Sequence, residues 1–186
     1  LTLTNGNNYG LLLADNLALG TSAGVTYSVS GASTSLLPDG LILTGVISGG
    51  MTGAANVVLT KAGAGTLALS GANTFGGSSA IIDITSGYLS VANDGALGDS
   101  TNVVRISTNS LTNGFRATDT FSTARTFNLN AASSGIEVSK GKTLTLSSAF
   151  AGGAGNALQK NDIGTLVLSA DNSAAWTGAV TINQGI

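Results

Sequence analysis

Residues 59–98 read LTKAGAGTLALSGANTFGGSSAIIDITSGYLSVANDGALG, and their pattern decides the fold. Thr66-Leu67-Ala68-Leu69 puts two leucines on one face and two small residues on the other. Ile82-Asp83-Ile84 and Leu89-Ser90-Val91 repeat that alternation, the mark of a half-buried strand. Between them, Ser70-Gly71-Ala72-Asn73 and Asn93-Asp94-Gly95 supply residues that accept tight turns and left-handed backbone angles. Strand follows corner follows strand, and no helix of ordinary length fits.

The same text returns later in the chain. Lys160-Asn161-Asp162-Ile163-Gly164-Thr165-Leu166-Val167-Leu168-Ser169 matches the run from Lys61 to Ser70 at a constant offset of 99 residues, and Asn172 matches Asn73. Trp176 takes the place of Phe75, while Val180, Ile182 and Gly185 take those of Ile82, Ile84 and Gly87. Upstream, Ile47-Ser48-Gly49-Gly50 faces Phe150-Ala151-Gly152-Gly153, and Thr26-Tyr27-Ser28-Val29 faces Thr126-Phe127-Asn128-Leu129. A long repeat of short strands points to a solenoid or a propeller. Equivalent strands recur after 22 residues from Leu67 to Leu89 and from Leu144 to Leu166, and after 23 from Val104 to Phe127. Propeller blades repeat every ~40–50 residues, and that period is absent. The expected fold is all-β: a right-handed parallel β-helix of about eight coils of roughly 22 residues, a rod about 40 Å long at ~4.8 Å per rung.

The phrase K-x-G-x-G-T-L-x-L-S-G-A-N-T-[FY], followed by I-x-I-x-x-G-x-L-x-V and D-G-A-L-G, resembles the autotransporter-associated β-strand repeat. Lys61 through Gly98 fits it nearly throughout; in the second copy Asp162 replaces the first glycine and Ala170-Asp171 replaces Gly-Ala. The resemblance implies the passenger region of a large bacterial surface protein of the type V secreted kind. It lends no catalytic residue and no cofactor.

Composition agrees with a stacked β-coil. Charged residues make up 9% of the chain, glycine occurs 27 times, and the net charge is −2. That balance gives no electrostatic reason to expect nucleic acid or an anionic membrane as partner. The basic residues Lys61, Arg105, Arg116, Arg125, Lys140, Lys142 and Lys160 are scattered and read as solvated strand ends. Cysteine is absent, so neither a disulfide framework nor thiolate chemistry is available. No apolar run approaches the ~18 residues of a membrane helix. The chain reads as a single β-solenoid segment over residues 1–186, holding two imperfect repeats of approximately 1–98 and 99–186 and cut from something longer. Neither Leu1-Thr2-Leu3 nor Val180-Thr181-Ile182 carries a proline or charge that would blunt an open edge. The expected partners are therefore neighbouring repeats of the same chain or copies stacked end to end.

Catalytic options are few. Histidine is absent, which removes Ser-His-Asp and Cys-His chemistry and most zinc sites. Gly63-Ala64-Gly65-Thr66 lacks the lysine of a phosphate-binding loop and reads as a corner. A glycosidase needs two carboxyls about 5–10 Å apart; Asp94 and Asp99 could meet that across a corner, although turn roles explain both. Asp83 and Glu137 lie mid-strand and point outward. Gly152-Gly153-Ala154-Gly155-Asn156 resembles the start of a calcium nonapeptide but lacks its aspartate and a tandem copy. No catalytic, metal or cofactor site is expected, and the segment is not expected to be an enzyme.

Two functional classes remain. One is a rigid stalk or fibre section on a bacterial outer surface, tied to an outer membrane only through a barrel outside the segment. The other is an adhesive module holding a glycan or a host surface. Phe115 and Phe121, in the polar stretch from Asn109 to Ser122, are the candidate binding aromatics; Phe75 and Trp176, shared by both copies, read as corner packing. The β-helix reading makes one mutation decisive. Leu67→Asp places a charge among aliphatics and should cost several kcal/mol in urea unfolding; an unchanged midpoint would reject an inward Leu67.

Overall fold

The computed structural model describes residues 2–5, 10–21, 24–29, 40–109, 113–153, 155–174 and 176–186. The turn at Gly6–Asn8, Tyr9, the loop with Pro38 and Asp39, Ala154 and the centre of the 109–122 stretch lie outside these residues.

The chain winds through short strands in a fixed order. β1 (Thr2–Asn5), β2 (Leu11–Leu13) and β3 (Leu17–Leu19) make one turn, and β4 (Val25–Val29), β5 (Leu41–Leu43) and β6 (Ile47–Gly49) the next. β7 (Val57–Ala62) and β8 (Thr66–Leu69) follow, then β9 (Ile81–Ile84), β10 (Tyr88–Val91) and a 3-10 turn at Asp94–Leu97. β11 (Val103–Ile106), β12 (Gly114–Ala117) and β13 (Phe121–Thr123) lead to β14 (Phe127–Leu129), β15 (Ser133–Val138) and β16 (Thr143–Leu146). β17 (Ala151–Gly152), β18 (Ala157–Asn161), β19 (Thr165–Leu168) and β20 (Val180–Ile182) complete the path.

Stacking sorts these strands by side. A seven-stranded sheet runs β1-β4-β7-β9-β11-β14-β17, and an eight-stranded sheet runs β2-β5-β8-β10-β12-β15-β18-β20. The third side carries β3-β6 and, separately, β13-β16-β19. Each pairing given is parallel. This is a parallel β-solenoid. Parallel strands need a long crossover between them, and here the other two sides of each turn supply it.

The pairs used to set the rung length are true register partners: Leu67 lies against Leu89, Leu144 against Leu166, and Val104 against Phe127. The number of coils is lower than eight. The seven strands of the first sheet mark about six complete turns, or about 29 Å at ~4.8 Å per rung. The difference arises near the N-terminus, where Leu11 pairs with Leu41 and Val25 with Leu59, so these turns are longer than 22 residues.

The core is a set of stacked columns. On the first sheet Val25, Leu59, Ile82, Val104 and Phe127 succeed one another, and on the second Leu41, Leu67, Leu89, Phe115 and Ile136 do. All ten are buried. Each inward side chain packs on the rung above and the rung below, so the hydrophobic gain repeats along the axis.

Phe115 belongs to this core. It is 0% exposed on β12, its ring edge-on to Phe127 at 5.1 Å between centroids. Its place as a binding aromatic on a protruding loop is therefore corrected: Gly114–Ala117 is a sheet strand whose odd positions face inward. Phe121, on β13, is half-buried and packs against the same core. Truncating Phe115 removes a ring from the second column and its edge contact with Phe127 in the first, and Phe115→Ala should lose about 3–5 kcal/mol of stability. Equilibrium urea unfolding checks this; a loss below about 1 kcal/mol would mean that the ring is not in the core.

Candidate functional site

The most distinctive chemistry lies in the lysines of the repeated phrase. Lys61 occupies an inward position of β7, between Tyr27 on one rung and Ile84 on the other. It is 0% exposed, and Lys160, between Ile136 and Ile182, is 2% exposed. The reading as solvated strand ends is thus overturned for Arg125, at 3% exposure, and for these two lysines. Their aliphatic stems lie in the apolar columns while the ammonium reaches out to the corner. Lys61 Nζ donates to the carbonyls of Ala62 and Gly63 at 2.7 Å each and of Ser86 at 2.9 Å. Lys160 Nζ donates to Asn161 at 2.7 Å, Asp162 at 2.6 Å and Gln184 at 3.2 Å. Three donors meet three acceptors, two in the lysine's own turn and one in the next. Each lysine therefore pins successive turns together.

Backbone shape at the corner follows from that cage. Gly63 has φ +73°, and Asp162, its counterpart, holds the same left-handed region at +60°. Aspartate is among the few side chains that tolerate it. Gly87 and Gly185 also match, at +65° and +75°. A Cβ on Gly87 would sit 2.2 Å from the Gly65 carbonyl and 2.7 Å from Lys61 Nζ, so only glycine closes this corner.

The two copies share a second contact. The Asn73 side-chain oxygen accepts from the Ile47 N–H at 2.7 Å, and that of Asn172 from the Phe150 N–H at 2.7 Å. Yet the copies sit on different sides of the solenoid. β7 and β8 lie in the seven- and eight-stranded sheets, whereas β18 and β19 lie in the eight-stranded sheet and on the third side. The phrase encodes a corner and can be placed at more than one corner of the triangle.

The acidic candidates are engaged in cohesion between turns. Asp83 pairs with Arg105 at 2.7 Å and accepts from the Ser107 hydroxyl at 2.6 Å. Glu137 pairs with Arg116 at 2.7 Å and accepts from the Tyr88 hydroxyl, while the Arg116 guanidinium lies 4.1 Å over the Tyr88 ring. Asp94 pairs with the buried Arg125 at 2.8 Å, and Arg125 also donates to the carbonyls of Gly98 and Asp99. Asp99 accepts from Thr101 N–H and hydroxyl, which holds its carboxyl below the usual range. That is opposite to the raised value a glycosidase acid requires. Arg125 thus gathers the Asp94 carboxylate and the Asp99 main-chain carbonyl, while the Asp99 carboxyl is taken by Thr101.

The remaining candidates are also placed in packing. Trp176 is edge-on to Phe150 at 5.3 Å and donates from its indole to the Asn156 carbonyl at 2.6 Å, and Phe75 is fully buried. Asn156, in the nonapeptide-like stretch, donates its amide to the Leu129 carbonyl. Among the described residues no three His, Cys, Asp or Glu side chains converge as a metal group.

Burial pushes the Lys61 pKa down to about 7 from 10.5 and lowers that of Lys160 as well. The folded chain releases the Lys61 proton near pH 7, whereas the unfolded chain holds it to about 10.5. The unfolded state then binds more protons across that window, so the Lys61 contribution to stability rises from pH 7 to 10.5. Lys61→Met leaves three carbonyls without their donor and should destabilise by about 1–3 kcal/mol at pH 7. The gap between wild type and variant should widen towards pH 10; parallel stability curves would contradict the lowered Lys61 pKa.

Against known proteins, the family model of the passenger-associated-transport-repeat matches residues 59–91 and 158–186, together about a third of the chain. Comparison with curated proteins and with solved structures gave no match. Both matched segments contain a caged lysine, Lys61 in one and Lys160 in the other. Two segments of this parallel β-solenoid thus match the model of the passenger-associated-transport-repeat, which is consistent with an autotransporter passenger repeat.

Proposed function

We propose that this segment is a load-carrying section of a bacterial surface or secreted passenger, a rigid spacer whose work is reach and resistance to unfolding. The observation that supports the reading most is where the charged groups go. Arg105, Arg116 and Arg125 each bridge to an acid on another turn, and Lys61 and Lys160 each tie two turns through carbonyls. Side chains that could have formed a reactive cluster are used instead along the axis. Partly buried pairs of this kind resist salt better than surface ones.

Adhesion is the competing role, and the core position of Phe115 removes one of the two aromatics that suggested it. Placement on the outer bacterial surface is part of the proposal and rests on the passenger-repeat match. The purified segment should show no saturable binding to an array of glycans or to extracellular-matrix proteins, while resisting trypsin under native conditions. Saturable binding to either class, abolished by substitutions on one outer face, would replace the spacer reading with the adhesive one.

A further inference from the structure

The third side joins successive turns unevenly. Along residues 70–79 the backbone is tied to the turn before it, with the N–H groups of Ser70, Thr74 and Gly76 donating to the carbonyls of Leu43, Ile47 and Gly49. The same stretch is tied to the turn after it. Asn73 N–H donates to the Gly95 carbonyl and Asp99 N–H to the Phe75 carbonyl, while the Asn102 side chain engages both Phe75 and Gly77. From β13 onward a strand ladder takes over, with Phe121, Ser122 and Thr123 in register with Leu144, Thr145 and Leu146.

One junction between these stretches is different. There the 3-10 turn Asp94–Leu97 faces β13. Thr118 N–H donates to the Val91 carbonyl at one corner, and Val104 N–H donates to the Thr126 carbonyl at the other. Between those corners, among the described residues, no backbone hydrogen bond crosses from 92–102 to 119–125. The hydrogen bonds that do cross all come from the guanidinium of Arg125. Its Nε donates to Asp94 Oδ1 at 2.8 Å, and its Nη2 donates to the Gly98 carbonyl at 2.8 Å and to the Asp94 carboxylate and carbonyl at 3.2 Å each. Its Nη1 donates to the Asp99 carbonyl. Arg125 is 3% exposed, and Ala96 and Leu97 beside it on the 3-10 turn are both 0% exposed.

The caged lysines reinforce turns that strand pairing already joins, whereas Arg125 stands in for a ladder. A ladder spreads cohesion over several amides, so one can fail while its neighbours hold. A single fork of donors lets go as a unit, and on leaving it regains the water that its charge lost on burial. The flanking pairs β9–β11 and β10–β12 do not have to break for this to happen. Local opening is easiest where the fewest backbone bonds must be given up, and on the third side this is that place.

We propose that this junction is the flexure point of the solenoid: its third side opens between the 3-10 turn and β13 when Arg125 leaves its cage, while both large sheets stay paired. Arg125 is the clasp that sets how often the seam opens. The opening uncovers Ala96 and Leu97 and frees the facing edge of β13. The proposal goes beyond the spacer reading and holds equally for a segment that adheres.

Thiol labelling tests it, since the chain has no native cysteine. Ala96→Cys reports the seam. Ala117→Cys, at an equally buried position paired on both sides with Val91 and Val138, reports the sheet. Under native conditions the seam cysteine should react faster with a small thiol reagent than the sheet cysteine. Adding Arg125→Met should speed the seam reaction by about 10- to 100-fold, the worth of lost hydrogen bonds to a charged group, and leave the sheet reaction nearly unchanged. Arg125→Lys keeps the charge but not the planar fork, so it should fall between the two. Asp94→Asn leaves the carbonyl contacts in place and tests the same clasp in a milder variant. Circular dichroism confirms that each protein keeps the β-fold. Equal acceleration at both cysteines would tie Arg125 to global unfolding and overturn the proposal. So would a seam cysteine whose rate neither Arg125→Met nor Asp94→Asn raises.

Discussion

An ammonium group set in a column of aliphatic side chains has to find oxygen within reach, and this need shapes the corners of the solenoid. Lys61 and Lys160 each present three N–H bonds to three carbonyls, the third belonging to the next turn. The cage fixes where that next turn must pass, and the glycines at 87 and 185 let the backbone come close enough to be held. A buried charge is costly unless it is fully satisfied. The device therefore specifies register more than it adds stability: a turn shifted by one residue leaves the ammonium without its partners.

The third side shows what happens where strand pairing stops. Between β6 and β13 no strand lies on that side among the described residues. Asn73 spans the gap, accepting from Ile47 on one turn and donating to the Ala96 carbonyl on another. Asn102 accepts from the Gly77 N–H and donates to the carbonyls of Phe75 and Leu97. Arg125 then ties the 3-10 turn to the strands that follow. Backbone bonds such as Thr74 N–H to the Ile47 carbonyl and Asp99 N–H to the Phe75 carbonyl carry part of the contact there, and polar side chains supply the rest, so buried backbone groups stay paired. The closing D-G-A-L-G motif is in this sense an interruption of the sheet, secured by side chains on both sides.

Much of this was legible from period and spacing. Alternating Leu, Ile and Val gave the strands, and the recurrence of Leu67 at Leu89 gave a true register. The repeat itself was readable because identical corners need identical residues. The buried lysines were hidden by the habit of placing charge outside, although a signal was present: Lys61 stands two residues after Leu59, and Lys160 two after Leu158, so each shares the inward face of its strand. Phe115 was obscured by its polar surroundings, yet Ala117 two residues on marks the same inward face. The outward pairs Asp83–Arg105 and Arg116–Glu137 were recoverable from spacing close to one turn. Turn count was not, because the longer N-terminal turns break the period.

The claim on which the rest stands is that the lysine of each repeat lies inside the coil with its ammonium held by backbone carbonyls. Nitrogen-15 NMR of the Lys61 side chain tests it most directly. Side-chain protons that exchange slowly with water, with a titration point drawn below 10.5 by burial, are the result that the caged lysine requires. Titration near 10.5 with fast exchange would place Lys61 in solvent and leave the corner without its pin.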